Sequence, residues 1–296
     1  MTRYESAHET SEVLKEFYDH VSQVQDIEKR LDSFKNYRSY HYKDLYYVRK
    51  NLVGIAVKDV LDVGCCGTPY PELFDLDRIN YTGIDISRYS LDRMKEHYAG
   101  KRIKWALDNI CQLDSIEDES LDLIIATQIF EHITKPEQAL FSCIRKLRPG
   151  GRLMIGTESA LFIQNGPRYG FLGKTIMGAS MYAGSFFCLY GLEPLFYSHC
   201  ERHSFKDSKN VTHDLLVPHG RYHPLFFSHI IKEYDLPADI VFSRTTGGTV
   251  LDEILSEFGM NVYYGWQEIK ANIPLLRHLG WQLFVVIRKN QGKSYM

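Results

Sequence analysis

The sequence predicts an α/β protein built on a doubly wound parallel sheet, and three observations predict it. Short apolar runs at Val57–Val63, Tyr81–Asp85, Ile103–Leu107, Leu121–Thr127 and Arg152–Thr157 have strand length and are rich in β-branched residues. Segments between them carry helix signals, as expected when helices cover both faces of a parallel sheet. The first run also opens into a turn of small residues, Gly64–Tyr70, of the kind that lets a backbone approach a ligand.

Residues 1–56 read as a helical cap. Over Ser11–Val21, Val13, Leu14, Phe17 and Val21 share one helical face, and Leu45, Tyr46, Val48, Arg49 and Leu52 continue a similar pattern. Between them, Tyr37 to Tyr42 is dense in aromatics that either cover a ligand or pack on the core. After the second strand, Ser87 caps a helix running to about Tyr98. A proline opens the helix Pro136–Leu147, and Arg148-Pro149-Gly150-Gly151 stops it.

The rhythm breaks over residues 158–247, which are rich in aromatics, glycine and histidine. It resumes with a helix at Thr249–Phe258 and strands at Met260–Gly265 and Trp281–Arg288. The expected organisation is therefore a core of 57–157 and 248–296 with 158–247 inserted as a lid over the ligand crevice.

With 296 residues and a formal charge of −2, the chain is large enough for a full core and lacks the basic footprint of a nucleic-acid binder. Its six cysteines show no paired spacing, so reduced thiols in a cytoplasmic protein are expected. The charged N-terminal stretch is unlike a signal peptide. Thr175–Leu192 is an uncharged run of 18 residues, but glycines and small polar residues dilute it. It reads as a buried or lid helix, not a stable membrane span.

Asp85 closes the second strand 21 positions after Gly64, near the ~20-residue offset at which an acid grips ribose hydroxyls in doubly wound folds. That spacing predicts an adenosine-containing cofactor. It leaves nicotinamide chemistry open, although Gly64-Cys65-Cys66-Gly67 is not G-x-G-x-x-G.

Taken together, VLDVGCCGTPY, YTGIDIS, LDLIIAT, Gln128-Ile129-Phe130-Glu131-His132 and RKLRPGGRLMI at 145–155 resemble the class I S-adenosylmethionine-dependent methyltransferases. Asp62 and Gly64 match the family's first motif, while Cys66 and Thr68 stand where glycines are usual.

The resemblance implies a Rossmann-like sheet of seven strands, the last (Trp281–Arg288) antiparallel, with S-adenosylmethionine as cofactor. It also implies roles. The Gly64–Thr68 backbone, with Cys66 and Gly67, would lie under the methionine part, and Asp62 would fix the turn or the amino group. Asp85, with Ile86 beside it, would hold the ribose. Asp108 and Asn109 would meet the adenine, Gln128 and Ile129 would flank the sulfonium, and Tyr18 would close over the cofactor.

A methyl acceptor must lose a proton, so a base is needed. His132 follows the fourth strand and serves either as that base or structurally. Six histidines fall between 199 and 229. His199 and His203, like His219 and His223, would share a face if helical. His213, beside Asp214, and His223 are the base candidates among them. Pro218, Pro224 and the irregular spacing argue against a metal, and none is expected.

The sequence thus predicts a methyltransferase acting on a small-molecule acceptor, at oxygen more than nitrogen, a natural product or sugar-containing metabolite. Nucleic acid is not an expected partner, and homodimerisation stays open. The alternatives are a cofactor-binding partner subunit without catalysis and a nicotinamide-dependent oxidoreductase.

Overall fold

Seven strands form one sheet, and its central strands are buried on both faces. In β1 (Asp59–Val63), Leu61 and Val63 face one layer of helices while Val60 faces the other. The computed structural model describes residues 9–24, 27–160, 196–206, 212–247, 250–273 and 276–291. The sheet order is β3 (Ile103–Leu107), β2 (Asn80–Asp85), β1, β4 (Leu121–Thr127), β5 (Leu147–Glu158), β9 (Gln282–Lys289), β8 (Ala238–Thr246). β9 is antiparallel to both its neighbours, and β1 to β5 are mutually parallel. The fold is therefore the Rossmann-like, seven-stranded α/β class expected, with its last strand antiparallel.

One face of the sheet packs against α5 (Pro136–Lys146) and α6 (Phe226–Glu233) through Ala139, Leu140, Cys143, Ile144, Phe226, Phe227 and Ile230. The other packs against α3 (Tyr40–Leu52) through Leu45, Tyr47 and Val48. Ser39 caps α3 by accepting the Tyr42 N–H at 3.0 Å, and Ser87 caps α4 (Arg88–His97) by accepting the Ser90 N–H at 3.0 Å. α1 (Glu9–Val24) and α2 (Ile27–Ser33) precede α3. Beyond β5, β6 (Phe196–Lys206) and β7 (Thr212–Tyr222) form an antiparallel hairpin. Phe17 of α1 packs on Val217 of that hairpin.

Two expectations are corrected. Met260–Gly265 is not a strand; it opens helix α8 (Met260–Ala271), preceded by α7 (Val250–Ser256). Tyr263, Tyr264, Gln267 and Lys270 are its buried residues, a helical period that the short run Met260–Gly265 does not reveal. The strand completing the sheet is instead Ala238–Thr246, inside the stretch assigned to the lid. With α6 it packs as part of the core. His199, His203 and His219 lie on strands and His223 in the turn just past β7, so neither pair shares a helix face; His199 stands opposite His219 in the hairpin register.

Arg148 donates to Asp59 and Asp122 at 2.8 Å each, clamping the amino ends of β1 and β4. The Arg145–Gly151 run is thus structural and lies at the end of the sheet away from the ligand crevice. The proposed helix at Thr175–Leu192 lies outside the described residues. Among those described, no helix is long and apolar enough to cross a membrane. Cys65, Cys66, Cys111 and Cys143 are free thiols.

Candidate active site

Strand order reverses between β1 and β4, and a crevice opens there at the carboxyl ends of the strands. It holds a cavity of about 1000 Å³. Among the expected site residues, Tyr18, Gly64, Cys66, Asp85, Ile86, Asp108, Asn109, Gln128, Ile129 and His132 line it.

The floor is the turn after β1. Gly64 has φ +65°, a left-handed conformation that favours glycine, and a Cβ there would also displace the Ile129 side chain, whose Cδ1 would stand 1.9 Å away. The residues at the usual glycine positions have work of their own. Thr68 is buried and donates through Oγ1 to Asp62 Oδ2 at 2.7 Å, and Tyr81 donates to the same oxygen at 2.9 Å. Asp62 thus fixes the turn from beneath and does not line the cavity. Its Oδ1 is buried with no hydrogen-bond partner among the described residues. Burial pushes its carboxyl up to about 7, against the Thr68 and Tyr81 bonds.

Gly67, at φ +66°, leaves room for Arg30. A Cβ at Gly67 would meet Arg30 Cδ at 2.7 Å. Arg30, from α2, lines the cavity above the turn, and its buried Nε has no partner among the described residues. Sequence reading missed it, because a lone arginine on an amphipathic helix carries no local mark of a ligand.

Asp85 ends β2. Its Oδ1 accepts the Ser87 N–H at 2.9 Å, and burial pushes its carboxyl up to about 6. Asp108 is more committed to its own loop. Oδ1 accepts the Asn109 N–H at 2.7 Å, and Oδ2 accepts the Ser115 N–H at 2.9 Å together with its hydroxyl. Asn109 Oδ1 accepts the Cys111 N–H at 2.9 Å. Gln128 has φ +56°, and its side chain turns away to donate to Asp44 of α3 at 2.8 Å. Of the pair after β4, it is Ile129 whose side chain covers the turn.

Another part of the lining comes from four elements: α1, the turn after β4, β5 and β7. Phe130–His132 is a single 3-10 turn. It splits Glu131 from His132: Glu131 is buried and accepts the Thr157 hydroxyl at 2.8 Å, while His132 meets Tyr18 and His219 edge to face, at ring-centroid distances of 6.1 and 5.3 Å. The Tyr18 hydroxyl is buried with no partner among the described residues. Burial, with Glu131 and Asp85 nearby, pushes its pKa up. His219 Nε2 lies 3.2 Å from Glu158 Oε1, and Arg221 Nε donates to Glu158 Oε2 at 3.0 Å. Tyr40, His41 and Trp281 add an aromatic wall.

Neither of the other two base candidates is brought to this part of the lining. His223 does not line the cavity. It is buried in the turn before α6, where its Nδ1 accepts the Leu225 N–H at 3.1 Å, and burial with His278 nearby lowers its pKa to about 4. His213 sits in β7 opposite Phe205. It is six residues from His219, about 20 Å along the strand, and its side chain lies outside the described residues. Among the described residues, no group of three or more His, Cys, Asp or Glu is arranged to hold a metal ion.

Burial also pushes Glu131 up to about 7, against the Thr157 bond. The sign for stability follows. The unfolded chain loses this proton near pH 4.5, the folded chain only near 7, so stability falls as pH rises through that window. Glu131→Gln should therefore match the parent in urea unfolding at pH 4.5 and exceed it by about 1–3 kcal/mol at pH 8. An equal difference at both pH values would contradict this.

Comparison with known proteins agrees with the geometry. A family model described as a methyltransferase domain matches residues 61–155. A ubiquinone biosynthesis O-methyltransferase of Dechloromonas aromatica is 29% identical over 124 residues, covering 40% of this chain and 53% of that protein. One from Aliivibrio fischeri is 27% identical over 146 residues, covering 49% of this chain and 61% of that protein. The chain thus spans little more than half the length of these curated relatives. A Burkholderia thailandensis 1,6-didemethyltoxoflavin-N1-methyltransferase, solved with that compound and S-adenosylhomocysteine, superposes with a TM-score of 0.51 at 13% identity. That superposition covers 98% of this chain and 93% of the other, and shows the shared fold.

Proposed function

We propose that this chain, which belongs to the class I S-adenosylmethionine-dependent methyltransferase family through its residues 61–155, methylates a hydroxyl of a small aromatic molecule with a histidine as base. The observation that carries this reading is one cavity of about 1000 Å³ joining two different surfaces. One is a glycine turn with Asp85 and Arg30; the other is an imidazole and carboxylate cluster walled by aromatics. That volume is at the upper end of small-molecule sites and leaves room for a cofactor and an acceptor together.

The residues present fit the cofactor. Gly64 holds the turn at positive φ beneath Ile129, and Arg30 Nε and the Tyr18 hydroxyl are buried polar atoms lacking partners among the described residues. When bound, S-adenosylmethionine supplies a methyl group already activated on a sulfonium. Asp85 would accept from the ribose hydroxyls, and Arg30 would meet the carboxylate of the methionine part. Asp108 and Asn109 border the adenine side. Tyr18, Ile129 and the turn exclude water around the reacting centre. Holding the partners aligned in such a site can supply about 7–11 kcal/mol.

His132 would take the acceptor's proton. It lines the cavity at the end facing Tyr18, Glu158 and His219. Phe17, Tyr40 and Trp281 suit a planar ring better than a sugar. The names of the curated relatives support transfer to oxygen. The reading is tested by incubating the full chain with S-adenosylmethionine and a panel of phenol, catechol and caffeate. S-adenosylhomocysteine and a methyl ether should appear together, and binding of S-adenosylhomocysteine by calorimetry should be competitive with the donor. A chain that binds neither form of the cofactor would sink the proposal.

A further inference from the structure

The cavity also holds a carboxylate–imidazole pair that the base assignment does not use. Glu158 is the last residue of β5, and His219 and Arg221 belong to β7 of the hairpin. In a strand, residues two apart share a face, so Val217, His219 and Arg221 point the same way. Val217 and His219 both line the cavity, as does Glu158. Glu158 bridges the two polar residues, 3.2 Å from His219 Nε2 and 3.0 Å from Arg221 Nε. Burial works to raise the Glu158 carboxyl, but His219 and Arg221 outweigh it and hold the group below its usual range. His219 then meets His132 edge to face at 5.3 Å.

We propose that Glu158 and His219 are positioning residues for His132: the carboxylate accepts the Nε2–H of His219, fixes which nitrogen of that ring carries a proton, and so sets the ring edge against which His132 is held. An imidazole is useful as a base only in a defined tautomer and orientation, and a carboxylate on the far nitrogen is a common way to define both. Here the orienting carboxylate would act one ring removed from the base.

A purely structural role, anchoring the hairpin, is already filled by other contacts. Tyr222 is buried and donates to the Phe130 carbonyl at 2.6 Å, and Ala160 N–H donates to the Tyr222 carbonyl at 2.9 Å. Those bonds hold the end of β7 beside β5 without Glu158.

Among the described residues, the titratable and charged groups around His132 are Tyr18 from α1, Tyr40 from α3, Glu131 on its own turn, Glu158 on β5, and His219 and Arg221 on β7. His199 stands opposite His219 in the hairpin register.

The test is imidazole nitrogen NMR on the full chain, free and with S-adenosylhomocysteine, alongside methyl transfer to whichever phenol of the panel turns over. The parent should show His219 as a single Nε2–H tautomer. Glu158→Met should average its two tautomers, move the His132 signals and lower kcat about 10-fold or more, with KM for the donor unchanged. Glu158→Gln, which keeps an acceptor oxygen, should restore the tautomer. Arg221→Lys should leave both imidazole signals in place.

Unchanged His219 and His132 signals in Glu158→Met would overturn the proposal. So would an equal disturbance from Arg221→Lys, which would make Glu158 a hairpin anchor only. This inference rests on the methyl-transfer reading for its rate arm alone. Altered imidazole signals in a chain that transfers no methyl group would therefore count against that reading and not against the pair.

Discussion

Asp85→Ala should weaken S-adenosylhomocysteine binding by about 100-fold, measured by calorimetric titration at pH 7.5. A carboxylate accepting two hydroxyl hydrogen bonds contributes about 1.5–3 kcal/mol per bond, and about 1.4 kcal/mol is a factor of ten. The loss should not come from unfolding. Burial pushes the Asp85 carboxyl up to about 6, so the charge is held at a cost in the free protein, and removing it relieves that cost. Asp85→Asn, which can still accept the Ser87 N–H, should unfold at the same denaturant concentration as the parent or a higher one, yet share the weakened binding. An alanine variant with the parent's affinity would remove the ribose assignment.

His132→Gln should reduce kcat by about 10²–10⁴-fold while changing donor affinity by no more than a few-fold. Glutamine fills similar space and can form hydrogen bonds, but it cannot accept and carry a proton in the neutral pH range. The split between kcat and donor binding separates a base from a packing residue against Tyr18. A variant turning over within about three-fold of the parent would move the base to another group.

What the sequence disclosed and what it hid follow from the range of the interactions. The parallel strands could be read because Val60–Val63 and Leu123–Ala126 are buried on both faces and form near-continuous apolar runs. Asp85 could be read because its distance from Gly64 is set by one strand–turn–strand unit. Ala238–Thr246 escaped because it is an edge strand, well buried only at its ends. Met260–Gly265 imitated a strand because its helical period needs the residues after it.

The same logic governs the site. His213 drew attention through Asp214, its neighbour in sequence, yet the carboxylate that orients an imidazole at the cavity is Glu158, about 60 residues away and one position past the expected end of its strand. His213 and His219 have the same strand parity, so position along β7 and the docking of its far end beside β5 decide which one lines the cavity. Arg30 likewise reaches the turn only because Gly67 leaves space for it. Cys66 and Thr68 looked like defects in a glycine motif, whereas Thr68 ties the turn to Asp62.

The most direct measurement follows a methyl-labelled S-adenosylmethionine incubated with the full chain and the phenol panel. Label should appear on a phenol oxygen together with an equal amount of S-adenosylhomocysteine, and both should be lost together in Asp85→Ala at limiting donor. Label that stays wholly on the donor with every phenol, in a protein that binds the donor well, would contradict it.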